Sequence, residues 1–179
     1  MVQGLQPSPD THVLVRVARP ADAASLIAHR RRSCAESFFL AYYPDEVSDD
    51  VEAQARIIEA AGADPHRAIL VATTGDEVIG FAGYLPAGPG RKAAHRASIA
   101  LSVEEAHAGR GIGHALLAAL ADHARTSGIR QLELGVYEEN ARARRLYEHF
   151  GFTTSGHVPG AYVHDDGSIH DEVQMVLAL

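Results

Sequence analysis

The chain has a single cysteine, Cys34, no tryptophan and no long run of apolar residues. One cysteine cannot form an internal disulfide, which is typical of a protein kept in a reducing cytoplasm. No stretch approaches the roughly 20 consecutive apolar residues that a membrane-spanning helix requires. The opening residues MVQGLQPSPD lack the charged and apolar regions of a signal peptide. We therefore expect a cytoplasmic protein without a membrane partner, with a flexible leader over residues 1–12.

Basic residues are also scarce. The 16 Lys and Arg residues stand against 23 Asp and Glu residues, which gives a formal net charge of −7. Proteins that bind nucleic acid need a basic face, so this balance argues against a nucleic-acid partner and favours a neutral or cationic small molecule. The 46% of apolar and 22% of charged residues over 179 positions are ordinary for one globular domain with its own core.

The order of the predicted elements indicates an α+β fold with a mixed sheet. Alternating apolar residues predict strands over residues 13–17, 69–73, 78–84, 95–103, 132–137, 161–164 and 173–177. Helical periodicity and end signals predict a helix that begins at Pro20, and further helices over residues 35–41, 49–60, 114–125 and 141–149. Hairpins at Gly75-Asp76 and Asp166-Gly167 are combined with one βαβ unit. We therefore expect one α+β domain over residues 13–179.

A strand, a glycine-rich turn and a helix follow one another in IALSVEEAHAGRGIGHALL, residues 99–117. Apolar residues alternate along the strand, which places Ser102 and Glu104 together on its other face. Glycines at positions 109, 111 and 113 then remove the Cβ atoms that would hold a ligand off the backbone. The unpaired N–H groups and the positive dipole end of the next helix favour bound phosphate, to which Arg110 can add a charge. A glycine-rich turn without a ligand is the alternative.

Two common phosphate-binding motifs do not fit this turn. A dinucleotide-binding G-x-G-x-x-G pattern would need glycine at His114 or at Leu116, and a P-loop needs a Gly-Lys-Ser/Thr sequence that is absent. The turn instead resembles motif A of the GCN5-related N-acetyltransferases, Gln/Arg-x-x-Gly-x-Gly/Ala, aligned with residues 108–113. Ala108 departs from that pattern. We expect this departure to weaken cofactor binding without abolishing it.

A second segment, LELGVYEENARARRLYEHFGF over residues 132–152, resembles motif B of the same family. Seven residues match its pattern at every spacing: Val136, Asn140, Ala143, Leu146, Tyr147, Gly151 and Phe152. Asn140 and Gly151 would also serve as the N-cap and the C-terminal cap of a helix between them. With two motifs in the right order, the chain is identified as a member of the family, and the resemblance covers residues 13–179.

The resemblance implies the GNAT fold, a three-layer α/β/α domain around a mixed, splayed sheet. It implies transfer of acetyl from acetyl-CoA to a primary amine by direct attack, the acceptor being a small amine, an amino acid or a peptide N-terminus. It also implies a homodimer, and the lack of a metal-ligand spacing among the histidines predicts no metal. The pantetheine arm would pair with the backbone of the motif A strand. The implied cofactor-binding residues are Leu101, Val103, Ala108, Gly109, Arg110, Gly111, Ile112, Gly113, His114, Asn140, Ala143 and Tyr147.

Tyr147 and Glu104 are the predicted catalytic residues. A phenol with an ordinary pKa of about 10 is protonated at neutral pH, so the motif position implies that Tyr147 donates a proton to the leaving thiolate. The alternative is a tyrosine packed in the helix interface with its hydroxyl bonded to a backbone carbonyl. Glu104 leaves the motif A strand on the face opposite Leu101 and would take the amine proton directly or through water. The alternative is that Glu104 and Glu105 form a solvent-exposed acidic pair. The amide of Val103 is expected to polarise the thioester carbonyl.

Aromatic residues and histidines outside the motifs leave two further readings open. Phe38, Phe39, Tyr42 and Tyr43 lie in the region that forms the acceptor pocket in the family, although core packing is the alternative for the two phenylalanines. No histidines have the H-E-x-x-H arrangement of a zinc site. The residues around the last hairpin are therefore interpreted as surface residues: His164, Asp165, Asp166, His170 and Asp171.

A non-catalytic acyl-CoA-sensing or protein-binding module on the same fold is the alternative function. Such a sensor needs only the phosphate-binding turn. The presence of Tyr147, Asn140 and Glu104 therefore favours an enzyme.

Overall fold

A computed structural model describes residues 12–179 of the chain. The predicted leader over residues 1–12 lies outside this part, apart from His12. Within it, the strands are β1 (Val13–Val17), β2 (Ala68–Thr74), β3 (Glu77–Pro86), β4 (Arg96–Val103), β5 (Gln131–Tyr137), β6 (Thr153–Val163) and β7 (Ile169–Ala178). The α-helices are α1 (Ala23–Glu36), α2 (Val51–Ala63), α3 (Ile112–Thr126) and α4 (Ala141–Phe150). None of these helices combines the length and apolar character that crossing a membrane would require.

The strands form a mixed sheet in the order β1-β2-β3-β4-β5-β7-β6. The parallel neighbours β4 and β5 pair only from Arg96 to Ser98 on β4 and from Gln131 to Glu133 on β5. Beyond these residues the two strands diverge, whereas β4 stays paired with β3 as far as Val103. The expected α+β fold with a mixed, splayed sheet is therefore confirmed.

Helices cover both faces of the sheet because its central strands are apolar on both faces. On one face, Leu26 of α1 and Ile58 of α2 are buried against Val71 and Val78. On the other face, α3 presents residues spaced three and four apart, as an amphipathic helix should. Burying one leucine contributes roughly 1.5–3 kcal/mol, so this stripe holds α3 firmly against the sheet. The stripe consists of Leu116, Leu117, Leu120, Ala121 and Ala124.

The predicted helix over residues 35–41 is wrong. α1 continues to Glu36, and Ser37 then adopts an extended conformation with φ −139° and ψ 120°. The next residues form an irregular loop, in which Phe38 and Phe39 both pack edge-on against Tyr137 with ring centroids 6.1 and 5.7 Å away. Adjacent residues on a helix point in different directions, so a helix here could not bring both rings to one partner.

The other predicted elements are present with shifted ends. α2 begins at Val51 rather than at position 49 and ends at Ala63 rather than at position 60. β6 begins at Thr153 rather than at position 161, and β3 ends at Pro86 rather than at position 84. The longer β6 and β7 form the edge of the sheet beyond β5 and extend towards the loop after α1.

Candidate active site

The divergence of β4 and β5 opens a cleft of about 500 Å³. Its walls are the end of α1 with the following loop, the second half of β4, the glycine turn with the first residues of α3, and the first half of α4. These are the elements that carry both sequence motifs. The cleft is therefore the place where the predicted cofactor-binding residues meet.

Backbone groups of Leu101 and Val103 point into the gap between the two strands. In a strand, successive residues direct their N–H and C=O groups to opposite edges. Glu104 N donates to Ile79 O of β3 at 3.1 Å, and His95 O accepts from Gln131 N of β5 at 3.1 Å. The backbone N–H and C=O groups of odd-numbered β4 residues therefore point towards β5. Because β4 and β5 stop pairing after Ser98, these groups have no partner on β5 at Leu101 and Val103. Both residues line the cleft, and their free edge fits an extended ligand with amide groups.

Two positions of the turn require glycine because of their backbone conformation, and a third requires it because of packing. Gly109 and Gly111 have φ values of +73° and +78°, and a Cβ atom at either would meet nothing within 4 Å. At Gly113 a Cβ would lie 3.3 Å from Cδ2 of Leu146, so this glycine allows α3 to approach α4 closely. The first-turn N–H groups of α3 border open space in the cleft, which fits the phosphate groups of a nucleotide-like cofactor.

The remaining predicted residues of the turn differ in what they can contribute. Ala108 lines the cleft in an extended conformation. The side chain of Ile112 is buried in the core, so only its backbone faces the cleft. His114 lines the cleft at the surface, where its ring packs edge-on against Phe150 with centroids 5.4 Å apart. Arg110 is exposed and does not belong to the lining of the cleft.

α4 is fixed at both ends by the residues that the second motif supplies. Asn140 Oδ1 accepts a hydrogen bond from Ala143 N at 3.1 Å, and both residues line the cleft. Gly151 ends the helix with φ +108°, and Phe152 N then donates to Tyr147 O at 2.9 Å. The caps fix where the helix begins and ends along the chain, so local sequence sets which turn of α4 carries Tyr147.

Tyr147 is buried in α4 and lines the cleft. Its ring packs against Phe152 with centroids 5.6 Å apart. Burial raises the pKa of Tyr147 to about 12, because the apolar surroundings disfavour the phenolate. The hydroxyl is therefore protonated throughout the neutral and mildly alkaline range.

Glu104 does not form a solvent-exposed acidic pair. Glu104 is 6% exposed, and its side chain lies on the α1 side of β4, away from Leu101 and Val103. Glu104 Oε1 accepts a hydrogen bond from Arg32 Nε at 2.9 Å and lies 3.1 Å from His29 Nδ1. Glu105 is the exposed member of the pair and forms an ion pair with Arg142 at 3.1 Å. The carboxylate of Glu104 is thus buried among donors, and it does not line the cleft.

His29 is a functional candidate that the sequence did not reveal. Its side chain is fully buried between α1 and β4. His29 Nε2 lies 2.9 Å from Ser102 Oγ, and Ser102 lines the cleft. Alternation along β4 correctly predicted that Ser102 and Glu104 share a face. The pairing with a histidine about 75 positions earlier had no local signal, because it depends on how α1 crosses the sheet.

A smaller pocket of about 260 Å³ lies beside the cleft, and Ser37, Phe38 and Leu40 line both. Phe38 is 52% exposed, so it is not a core residue. The opposite wall comes from β5 and the β6–β7 hairpin, where Tyr137 stacks on Tyr162 with centroids 3.9 Å apart. Sequence analysis did not identify either tyrosine as a site residue, because neither occupies a position of motif A or motif B.

Two histidines that were interpreted as surface residues belong to this aromatic cluster. His164 and His170 are half-buried, and their ring centroids lie 5.7 Å from that of Phe38. His164 Nε2 also lies 3.1 Å from the hydroxyl of Tyr137. The surface interpretation is wrong for these two residues because the long β6–β7 hairpin folds them against the loop after α1.

One group of metal-ligating side chains occurs in the described part of the chain. Glu138, His157 and Asp171 bring their ligand atoms within 4.8 Å of one another at the surface. His157 Nε2 lies at ion-pair distance from both carboxylates, 3.2 Å from Asp171 and 3.7 Å from Glu138, which accounts for their proximity. We assign no metal to this group.

Comparison with known proteins agrees with the geometry of the cleft. A family model described as the acetyltransferase (GNAT) family matches residues 29–152. A mycothiol acetyltransferase from Beutenbergia cavernae is 51% identical over 53 residues. That match covers 30% of this chain and 18% of the relative, so it spans a small part of the relative's length.

Solved structures match over nearly the whole chain. A GCN5-related N-acetyltransferase from Kribbella flavida is 32% identical with a TM-score of 0.79, covering 96% of this chain and 100% of that one. The structure of yncA from Salmonella typhimurium, determined with its cofactor acetyl-CoA, is 25% identical with a TM-score of 0.83 and covers 94% of each chain. The extent of these matches and the two sequence motifs agree with one another, and the chain belongs to the acetyltransferase (GNAT) family.

Proposed function

We propose that the protein is an acetyl-CoA-dependent N-acetyltransferase that acts on the primary amine of a small molecule, an amino acid or a peptide N-terminus. The observation that carries this proposal is the cleft between β4 and β5. It combines a free strand edge at Leu101 and Val103, the helix N-terminus behind the glycine turn, and the protonated hydroxyl of Tyr147. A phosphate-binding sensor would need the first two features and not the third.

The cofactor side of the cleft supplies binding and polarisation. The free edge of β4 offers amide and carbonyl groups to the pantetheine arm, and the first turn of α3 offers N–H groups to the diphosphate. The N–H of Val103 faces the gap and can hydrogen-bond a carbonyl oxygen, which stabilises negative charge that develops there. Acetyl-CoA, when bound, supplies the thioester that the amine attacks.

Tyr147 is the proposed general acid. Burial raises its pKa to about 12, so it holds its proton at neutral pH. The same burial would disfavour a thiolate in the cleft, since both anions lose hydration. Proton transfer from a phenol to a thiolate is mildly unfavourable for the free groups, whose pKa values are about 10 and about 8.5, and burial of both anions leaves that difference largely unchanged.

The aromatic pocket is the proposed acceptor site. It shares Phe38 with the cleft, so an amine held in it can reach the cofactor side. Its volume of about 260 Å³ is just below the range of about 300–1,000 Å³ that is typical of drug-sized ligands, which favours a small acceptor. Glu172 accepts a hydrogen bond from Tyr162 at 2.5 Å and adds negative charge next to the rings. A pocket lined by aromatic rings, one of which is hydrogen-bonded to a carboxylate, suits a small cationic amine.

The test is thiol release from acetyl-CoA across a panel of amino acids, polyamines, aminoglycosides and short peptides, with mass spectrometry of each product. We expect an acetylated small amine, with faster turnover for small acceptors than for aminoglycosides. Titration calorimetry with acetyl-CoA is the matched measurement of cofactor binding. Binding without turnover on any acceptor would contradict the enzymatic proposal, and absence of binding would contradict the cofactor assignment as well.

A further inference from the structure

We propose that Ser102, His29 and Glu104 form a proton relay that removes the proton from the acceptor's ammonium group. The relay rests on the proposed function, which requires a neutral amine for attack but includes no group in the cleft that takes the amine's proton. In this relay Ser102 is the residue that contacts the acceptor, and His29 is the proton acceptor behind it. Glu104 is a positioning residue that acts through the histidine.

The three side chains form a continuous chain of hydrogen bonds from the cleft into the protein. Ser102 Oγ lies 2.9 Å from His29 Nε2, and His29 Nδ1 lies 3.1 Å from Glu104 Oε1. Ser102 lines the cleft, whereas the other two side chains are buried. A second hydroxyl, that of Ser33, also lies in the cleft lining but is 3.5 Å from Nε2. The shorter contact makes Ser102 the terminus of the relay.

The partners of His29 determine which ring nitrogen carries the proton. A carboxylate can only accept, so Nδ1 donates to Glu104 and must be protonated. In the neutral ring, Nε2 then has a lone pair that accepts the hydroxyl proton of Ser102. This leaves the lone pairs of Ser102 Oγ free to accept a proton from the cleft.

The transfer balances without any further reactant. One N–H bond of the ammonium group breaks as its proton moves to Ser102 Oγ, and the serine's own proton moves to His29 Nε2. The amine becomes neutral with a free electron pair, and the imidazole becomes an imidazolium beside the carboxylate of Glu104. After the acetylated product leaves, the imidazolium returns this proton to water through Ser102. The relay is then ready for another turn.

Charged groups from three elements surround His29. Glu104 approaches from the end of β4, whereas Arg32 and Glu36 lie on α1, the helix that also carries His29. Glu77, at the start of β3, contacts Arg32, with its Oε1 3.1 Å from Arg32 Nη2. Burial lowers the pKa of His29, and Glu104 offsets this only in part. The imidazole is therefore neutral at pH 7, which the relay requires.

The relay is tested by steady-state kinetics of three variants between pH 6 and pH 10, on an acceptor found in the amine panel. Ser102→Ala removes the terminus and Ser102→Thr keeps a hydroxyl. Ser98→Ala is the matched control, because Ser98 lies on the same face of β4 and outside the cleft lining. We expect Ser102→Ala to lower kcat/KM for the amine roughly 100-fold at pH 7, in the usual range for a lost general base. The KM for acetyl-CoA should change less than twofold, and Ser102→Thr should restore most of the activity.

The pH dependence separates a relay from a structural role. As the pH approaches the pKa of the amine, more acceptor arrives already neutral, so the defect of Ser102→Ala should shrink towards pH 10. A defect of equal size at every pH, or no defect, would overturn the relay while leaving the proposed function intact. An acetyl adduct on Ser102 after mixing with acetyl-CoA, detected by intact mass, would overturn it in favour of a nucleophilic serine. Absence of turnover by the unmodified protein would overturn the relay and the proposed function together.

A second readout does not depend on turnover. Nitrogen NMR of the histidine rings distinguishes the tautomers, and the signal of His29 is assigned by its loss in His29→Gln. We expect Nδ1 protonated and Nε2 unprotonated at pH 7, with a change at Nε2 in Ser102→Ala. The opposite tautomer would overturn the relay. If His29→Gln does not fold, single substitutions of the ten other histidines assign the signal by elimination.

Discussion

The cofactor side and the acceptor side of the cleft are built in different ways. The cofactor side comes from one continuous part of the chain, from Leu101 to Tyr147, and works largely through backbone groups and helix ends. The acceptor side joins Phe38, Tyr137 and Tyr162, which come from three separate elements, and works through side chains. Backbone groups are the same in every residue, so the first side can be shared across a family. The ligand specificity of the acceptor side depends on side chains, so a few substitutions can change it without disturbing the fold.

The two sides also differ in burial, which affects their chemistry. Tyr147 is buried on the cofactor side, and its pKa is raised to about 12. Phe38 on the acceptor side is half exposed and lies on a loop rather than in a helix or strand. We expect the cofactor side to carry the chemistry and the binding of acetyl-CoA, while the acceptor side sets the affinity for the amine. Four substitutions test this division.

Tyr147→Phe should have the largest effect. We expect kcat to fall about 100-fold or more, because the leaving thiolate loses its proton donor, with little change in the affinity for acetyl-CoA. Unmodified protein should show no alkaline loss of kcat from this group up to pH 10, because a group with a pKa of about 12 stays protonated there. Steady-state kinetics and calorimetry measure the two quantities.

The control for that experiment is Tyr84→Phe. Tyr84 is also buried, but its hydroxyl donates to Pro65 O at 3.1 Å and lies 3.0 Å from His123 Nδ1, far from the cleft lining. This variant should lose about 1 kcal/mol of stability and keep its turnover. Equal turnover by Tyr147→Phe and the unmodified protein would remove Tyr147 from the mechanism.

Gly111→Val should weaken acetyl-CoA binding about 10-fold or more. A β-branched residue is strained at φ +78°, by roughly 1–2 kcal/mol for an L-residue in this region, and relief of that strain would turn the first N–H groups of α3 away from the cleft. Gly75→Val is the matched control, since Gly75 has φ +57° and similarly open surroundings in the β2–β3 turn. Calorimetry should show normal acetyl-CoA affinity for the control. Equal losses in both variants would point to general destabilisation.

Phe38→Ala should affect amine binding on the acceptor side. We expect the KM of the amine acceptor to rise several-fold while kcat and the KM of acetyl-CoA change by less than twofold, because one wall of the acceptor pocket is lost. Ile57→Ala, which truncates a similarly exposed apolar residue on α2, should leave all three constants unchanged. A large fall in kcat with Phe38→Ala would break the separation between chemistry and affinity.

Asn140→Ala should have the smallest effect on catalysis. It removes the N-cap of α4, so we expect the free energy of unfolding to fall by about 1 kcal/mol. Asp50→Ala removes the corresponding cap of α2, where Asp50 Oδ1 accepts from Ala53 N at 2.8 Å. Denaturant unfolding should show similar losses in the two variants. A modest loss of kcat in Asn140→Ala alone would show that the cap positions Tyr147, and equal activities would limit Asn140 to stability.

The sequence predicted local features well and contacts between distant elements poorly. Alternation along β4 placed Ser102 and Glu104 on one face, and the capping signals of Asn140 and Gly151 were confirmed. The predicted helix over residues 35–41 was wrong, because α1 ends at Glu36 and the residues that follow form a loop. Contact with Tyr137 in the folded protein favours a loop there instead.

The sequence by itself determined the fold class, the family and the cofactor side of the cleft. The fold class follows from strand periodicity and helix caps, which are short-range properties of the chain, whereas the family and its cofactor-binding turn follow from the resemblance to motifs A and B. Only the tertiary structure decided that Glu104 is buried beside His29 and that Tyr162 and His164 stand opposite Phe38. Such contacts depend on how α1 and the β6–β7 hairpin pack across the sheet. The residues concerned are far apart in sequence, so no local pattern specifies which side chains will meet.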